Sequence, residues 1–121
     1  MKAALATEAV FQMSPDLFWE LAEYIFNNQK EIKLENLDAE VESFLKAKKV
    51  NLDEYKKKLA SDSVKKAVEL DLQDVRNVGL RGGTPSFYID GRFIGGAQPV
   101  ENFRKVIDEA LAAAGPARAG Q

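Results

Sequence analysis

Residues 82–99 read GGTPSFYIDGRFIGGAQP, and this stretch decides the fold. It is dense in Gly and Pro and holds the only segments with convincing strand character. Ser86–Ile89 and Arg92–Gly95 flank Asp90-Gly91, the preferred dipeptide for a two-residue hairpin turn. Alternation puts Phe87 and Ile89 on one face of the hairpin and Ser86 and Tyr88 on the other. Arg92 and Ile94 alternate with Phe93 and Gly95 in the same way. Both faces therefore carry large apolar groups, as in a strand inside a layered sheet rather than a solvent-facing ribbon. A two-stranded hairpin is marginal without more strands or a covering helix, and the sequence supplies no further strand. Gln98-Pro99 opens a last helix, with Val100, Phe103, Ile107, Ala110 and Leu111 expected to face inward.

Upstream, helical periodicity runs almost without a break. Residues 2–12 are Ala-rich, with Ala3, Ala6 and Val10 along one face. At Ser14-Pro15-Asp16 a strong start signal follows: a capping side chain, a Pro suited to the first helical position, and an acid near the positive end of the dipole. This second helix carries Leu17, Leu21, Tyr24 and Ile25 on one stripe and ends at Asn27-Asn28. A third helix spans roughly Glu35 to Lys48 through Leu37, Val41, Phe44 and Leu45. Asn51 caps a short helix buried through Leu52, Tyr55 and Leu59, and Ser61 or Asp62 caps a fifth in which Val64, Val68 and Val75 recur. Gly79 ends that helix as a left-handed residue. The reading is one α/β domain over residues 1–114, with a helical part at 2–78, a ββα part at 82–114, and a flexible tail at 115–121.

Composition narrows the chemistry. The chain has 121 residues, 17 Lys and Arg against 19 Asp and Glu, and neither His nor Cys. Without Cys there is no disulfide, thiolate nucleophile or thiolate metal site. Without His there is no imidazole base or imidazole metal ligand. No apolar run approaches the roughly 20 residues needed to cross a bilayer. Glu8 interrupts any signal-peptide core in MKAALATEAVFQ, so the compartment stays open.

The order and spacing of these motifs resemble the DsbA-like branch of the thioredoxin-fold thiol–disulfide oxidoreductases. The resemblance covers roughly residues 2–111. It rests on the Ala-rich helix, FWELAEYIFNNQKEI, Asn51-Leu52-Asp53, Leu59-Ala60-Ser61, Val68 and Asp71, Val78-Gly79, the Gly-Thr-Pro-Ser-Phe strand, Asp90-Gly91 and Gly95-Gly96-Ala97-Gln98-Pro99. One departure is Arg81-Gly82-Gly83, with one more Gly than the usual loop. The resemblance implies an incomplete thioredoxin-like fold: a helical insertion of about five helices, then the ββα half. It places a cis bond at Thr84-Pro85, where local sequence alone reads as an ordinary trans loop before an edge strand. It also implies that Gly83, Thr84 and Pro85 meet an extended client peptide beneath the helical cap.

The catalytic half of that family, with its Cys-x-x-Cys helix, would precede residue 2. Thiol–disulfide exchange needs one thiolate to attack and a second to resolve the mixed disulfide. The expectation is therefore a client-groove half that is redox-inert by itself, with no catalytic residue, metal ligand or cofactor. The alternative is a non-catalytic module that binds peptide or assembles with itself; a fragment of a DsbA-like isomerase or kappa-type glutathione transferase is remoter. Because the strand at Ser86, Phe87, Tyr88 and Ile89 would have an unpaired edge, a homodimer or exchange of elements is expected there or at the N-terminal helix.

Weaker signals have ordinary explanations. Lys46, Lys48, Lys49, Lys56, Lys57, Lys58, Lys65 and Lys66 concentrate positive charge, yet residues 30–81 hold 12 basic and 11 acidic side chains. That balance reads as a solvated helical surface or, alternatively, a client-binding or docking patch, not a nucleic-acid or membrane patch. Trp19 reads as a packing residue or, alternatively, as part of a peptide groove. Asp71 shares a stripe with Val64, Val68 and Val75, so partial burial is expected, with a role as a cap or in an ion pair with Arg81 or a Lys. Gly82-Gly83 lacks the residues of a phosphate loop.

Overall fold

Ser14 sits between two helices with extended backbone, φ −158° and ψ 112°, and serves both. Its N–H closes α1 (Lys2–Met13) on the Val10 carbonyl, while its Oγ accepts from the Leu17 N–H at 3.3 Å and opens α2 (Pro15–Asn27). In this computed structural model, residues 1–80 and 83–116 are described. They continue as α3 (Leu37–Ala47), α4 (Leu52–Leu59), α5 (Asp62–Asn77), β1 (Ser86–Ile89), β2 (Arg92–Gly95) and α6 (Val100–Ala114). The chain divides into two compact units, Met1–Val75 and Arg76–Gln121, with the division in the last turn of α5. The expected flexible tail at 115–121 lies largely outside the described residues.

The first unit is a helical cluster. Its core joins Ala6, Ala9 and Val10 of α1 with Leu21, Val41, Leu45, Tyr55 and Val64 from the four other helices. The small side chains of α1 let its neighbours pack close, which is why an Ala-rich helix sits at the centre of the unit. Helix ends are set locally. Asn51 Oδ1 accepts from the Asp53 and Glu54 N–H groups at 2.9 and 3.2 Å, capping α4. α3 starts later than the periodicity suggests, because Asn36 is used to close the preceding turn: its Oδ1 accepts from Lys33 N–H and its Nδ2 donates to the Glu31 carbonyl. Its C-terminus closes with Lys49 at φ 58° and the Val50 N–H on the Leu45 carbonyl, a closure more often built on Gly.

Two tyrosines tie this cluster together. Tyr24 Oη donates to Glu40 Oε2 at 2.7 Å, joining α2 to α3. That bond holds its phenol above the ordinary range, with burial and the Glu40 and Glu31 charges adding to the rise. Tyr55 is 3% exposed, and burial, reinforced by the Asp38 and Glu42 carboxylates, pushes its phenol up to about 12. The ion pairs Lys2–Asp38, Lys48–Glu20 and Lys56–Glu42 are all at the surface and contribute little each.

The second unit is the hairpin with α6. β1 and β2 pair antiparallel, Ser86 with Gly95, Phe87 with Ile94, Tyr88 with Phe93 and Ile89 with Arg92. Asp90 at φ 48° and Gly91 at φ 79° form the mirror-image turn that matches the strand twist. Phe87 meets Phe103 of α6 edge-on, ring centroids 4.9 Å apart. Gly79 has φ 64°, as its place after α5 requires.

Two expectations about burial are corrected. On α5, Val64 and Val68 are buried, but Val75 is 46% exposed and Asp71 is exposed too. Among the described residues Asp71 makes no ion pair, and Arg81 lies outside them. On α6, Ala110 is buried and Phe103 half-buried, whereas Val100, Ile107 and Leu111 remain exposed. The periodicity identifies the apolar stripe correctly, but the hairpin is too small to cover its full length.

Leu21→Ala is expected to destabilise the first unit by about 3 kcal/mol in urea unfolding, since it empties a fully buried site. Tyr55 supplies a pH test. A phenol with a raised folded pKa contributes stability that is complete below about pH 10 and is lost as pH rises through about 12, on the order of 3 kcal/mol in all. Urea midpoints at about pH 9 and pH 11.5 should therefore fall further for the parent chain than for Tyr55→Phe.

Candidate functional site

The hairpin fixes which backbone groups are free. A two-residue turn makes Ile89–Arg92 a hydrogen-bonded pair, and bonded and non-bonded pairs then alternate. Phe87–Ile94 is the next bonded pair, and the Gly96 N–H donating to the Pro85 carbonyl at 2.8 Å continues the series. Ser86 and Tyr88 consequently turn their N–H and C=O groups to the outer edge of β1. Sequence alternation assigned side chains to faces, but it did not assign these backbone directions; the turn length, legible as Asp90-Gly91, was the signal that could have done so.

Gly83, Thr84 and Pro85 lie just before this edge, and all three are exposed. Ser86 Oγ donates to the Gly83 carbonyl at 2.6 Å, pinning the approach to the strand. The Thr84–Pro85 peptide is cis. Among the described residues, neither backbone group of Thr84 has a hydrogen-bond partner. Thr84, Ser86 and Tyr88 together therefore offer donors and acceptors to an extended chain. The nearby charged pair, Arg92 Nη1 and Asp90 Oδ2 at 3.6 Å, is at the surface.

The two faces of the hairpin differ. Phe87, Ile89 and Ile94 face α6, and an open apolar cavity of about 250 Å³ lies between Ile89 and Ile107, Ala110, Leu111 and Ala114. On the other face, Tyr88 and Phe93 pack ring to ring at 5.2 Å and both stay exposed. Tyr88 Oη also donates to the Val78 carbonyl at 3.3 Å, a tie that sequence reasoning did not foresee. Trp19 is 69% exposed, so it is not the packing residue that its surroundings suggest. It belongs to the first unit, whereas Gly83, Thr84 and Pro85 belong to the second. Among the described residues, no group of three or more His, Cys, Asp or Glu could hold a metal ion, and no helix is long and apolar enough to cross a membrane.

A helical segment followed by a cis-Pro ββα unit is the arrangement of a DsbA-like thioredoxin fold, and a thioredoxin family model matches residues 1–109. The chain belongs to this DsbA-like thioredoxin-fold family. It is 31% identical over 112 residues to the probable disulfide bond formation protein D of Bacillus cereus and 30% identical over 112 residues to that of Bacillus anthracis. Each match covers 89% of this chain and 50% of the relative, so the chain spans about half the length of the curated relatives it matches. No solved structure gives a significant match.

The hairpin geometry makes a testable pattern. Amide protons of Phe87, Ile89, Arg92, Ile94 and Gly96 should exchange slowly, and those of Ser86, Tyr88 and Phe93 rapidly. Phe103→Ala removes the edge-on ring contact with Phe87 and should speed exchange at the protected amides about tenfold.

Proposed function

We propose that this chain is the client-groove half of a DsbA-like thiol–disulfide oxidoreductase. Gly83, Thr84 and Pro85 would receive an extended client peptide, and Cys residues outside this chain would perform the exchange. One observation carries this reading: the exposed, unpartnered backbone of Thr84 stands in line with the open edge of β1 at Ser86 and Tyr88. An extended client can add to such an edge by main-chain hydrogen bonds, without a fixed side-chain sequence. In disulfide exchange an attacking thiolate bonds to one sulfur of a disulfide and releases the other as a thiolate; a second thiolate then attacks the first attacker's sulfur in the mixed disulfide and releases its partner. With no Cys, this chain can take neither part, and its contribution is to hold the client still.

The matched relatives, named for disulfide bond formation, support the redox context. A titration with an extended disulfide-containing peptide tests the reading. Amide shifts should concentrate at Gly83, Thr84, Ser86 and Tyr88, and the chain alone should not accelerate insulin reduction. Unchanged amide spectra at millimolar peptide would count against it, as would any reductase rate above buffer.

The same edge favours a second reading, self-pairing through Ser86, Phe87, Tyr88 and Ile89. This strand carries no charged side chain, and edge charges are the usual guard against such pairing. Sedimentation at tens of micromolar should then show a dimer that Tyr88→Lys dissociates; a monodisperse parent monomer removes this second reading.

A further inference from the structure

The hairpin has a second open edge, on β2, away from Thr84, Ser86 and Tyr88. An opening of about 340 Å³ lies there, and its lining includes Phe93 and Ile94 of β2, Gln98 before α6, and Asn102, Lys105 and Glu109 of α6. Neighbours on a strand point to opposite faces, so an opening that touches both Phe93 and Ile94 sits at the outer edge of β2. Sites that enclose a small molecule are commonly about 300–1,000 Å³, and this one falls within that range. Ile94 is buried, whereas the four polar side chains are exposed and stand at the mouth.

Backbone and side chains together limit what this opening can take. Arg92 and Ile94 are the β2 residues bonded to β1, so Phe93 and Gly95 turn their N–H and C=O groups outward. The Gly95 carbonyl is occupied: Gln98 Nε2 donates to it at 2.9 Å, and Asn102 Nδ2 donates to Gln98 Oε1 at 3.0 Å. At the other end the edge stops at the Asp90-Gly91 turn. Among the described residues, neither backbone group of Phe93 has a hydrogen-bond partner. They can exchange a pair of bonds with one residue of an extended ligand, and the edge is too short for a longer strand. Lys105 and Glu109 stand four residues apart on α6, with Lys first, the weaker order for pairing within a helix. Among the described residues neither makes an ion pair. An unpaired ammonium and an unpaired carboxylate therefore line one opening, a helical turn apart.

We propose that this opening binds a short zwitterionic peptide of two residues. Two extended residues span about 7 Å, close to the rise of about 6 Å that separates Lys105 from Glu109 along the helix. A single amino acid carries its two charges on one α-carbon and is too short for that separation. The ligand's carboxylate meets Lys105, its ammonium meets Glu109, and one of its residues pairs with the Phe93 backbone. The half-exposed Phe93 ring offers contact to an apolar side chain. A purely anionic ligand would face Glu109, and a purely cationic one would face Lys105. The site uses the opposite edge of the hairpin from the Gly83–Pro85 reading and stands without it.

The probe is the dipeptide Ala-Phe, titrated into the isotope-labelled full chain and followed by amide spectra. Its pair is N-acetyl-Ala-Phe-amide, which keeps the side chains and removes both charges. The expected result is saturable shifts at Phe93, Lys105 and Glu109, with slowed exchange of the Phe93 amide. The blocked peptide and free phenylalanine should each bind at least tenfold more weakly. Lys105→Ala/Glu109→Ala changes only exposed side chains and should erase the preference for the charged dipeptide. The proposal fails if millimolar dipeptide leaves the spectra unchanged, if the blocked peptide or free phenylalanine binds equally well, or if the double variant keeps the preference. Shifts confined to Thr84, Ser86 and Tyr88 also overturn it, because the dipeptide would then occupy the client edge.

Discussion

A single residue of extended backbone between two helices governs the helical unit. Because Ser14 ends α1 and caps α2 with no loop between them, the two helices must fold back on each other at once. That return brings Leu21 against Ala6 and Val10, and the remaining helices complete the core around this pair. The short connection also opens a groove on the opposite side, since Ala4, Thr7 and Ala22 are too small to fill the space between the helix surfaces. One local constraint thus produces both the packed side of the helix pair and its open side.

The second unit depends on a comparable economy. The Asp90-Gly91 turn admits one strand register, and that register decides which carbonyls and amides face inward. Thr84, Ser86 and Tyr88 are available to another chain because Phe87 and Ile89 are committed to β2. The chemistry of the family then divides cleanly. Holding an extended polypeptide requires backbone groups and a fixed register, which this chain has. Exchanging disulfides requires thiols, and this chain has no Cys.

Much of this was legible because it is local. Ser14, Asn51, Gly79 and Asp90-Gly91 act within a few residues of themselves, and a capping side chain or a positive φ leaves a direct mark on residue choice. Asn36 was harder, since its side chain serves the turn before it instead of the helix after it. Lys49 left no mark, because a Lys in the left-handed region carries none of the signal of a Gly. Burial along α5 and α6 misled for a different reason. A periodic stripe states which side of a helix is apolar but not what stands opposite it, so Val75, Ile107 and Leu111 read as inward while remaining uncovered. Trp19 failed in the same way, its neighbours Leu17 and Phe18 packing inward while it does not.

Gly95 shapes the outer face of the hairpin in a way that bears on recognition. A Cβ at this position would stand 3.1 Å from Phe93 Cε1, so the ring occupies space that any larger residue would claim. Phe93 therefore leans along its own strand, with Tyr88 tilted beside it, instead of standing up from the sheet. That face is carried by the two rings, 5.2 Å apart, tilted at 49° to one another and each about half exposed. A neighbour that meets this face therefore contacts aromatic ring surface and not upright aliphatic side chains, and each ring offers it many weak atom contacts at once.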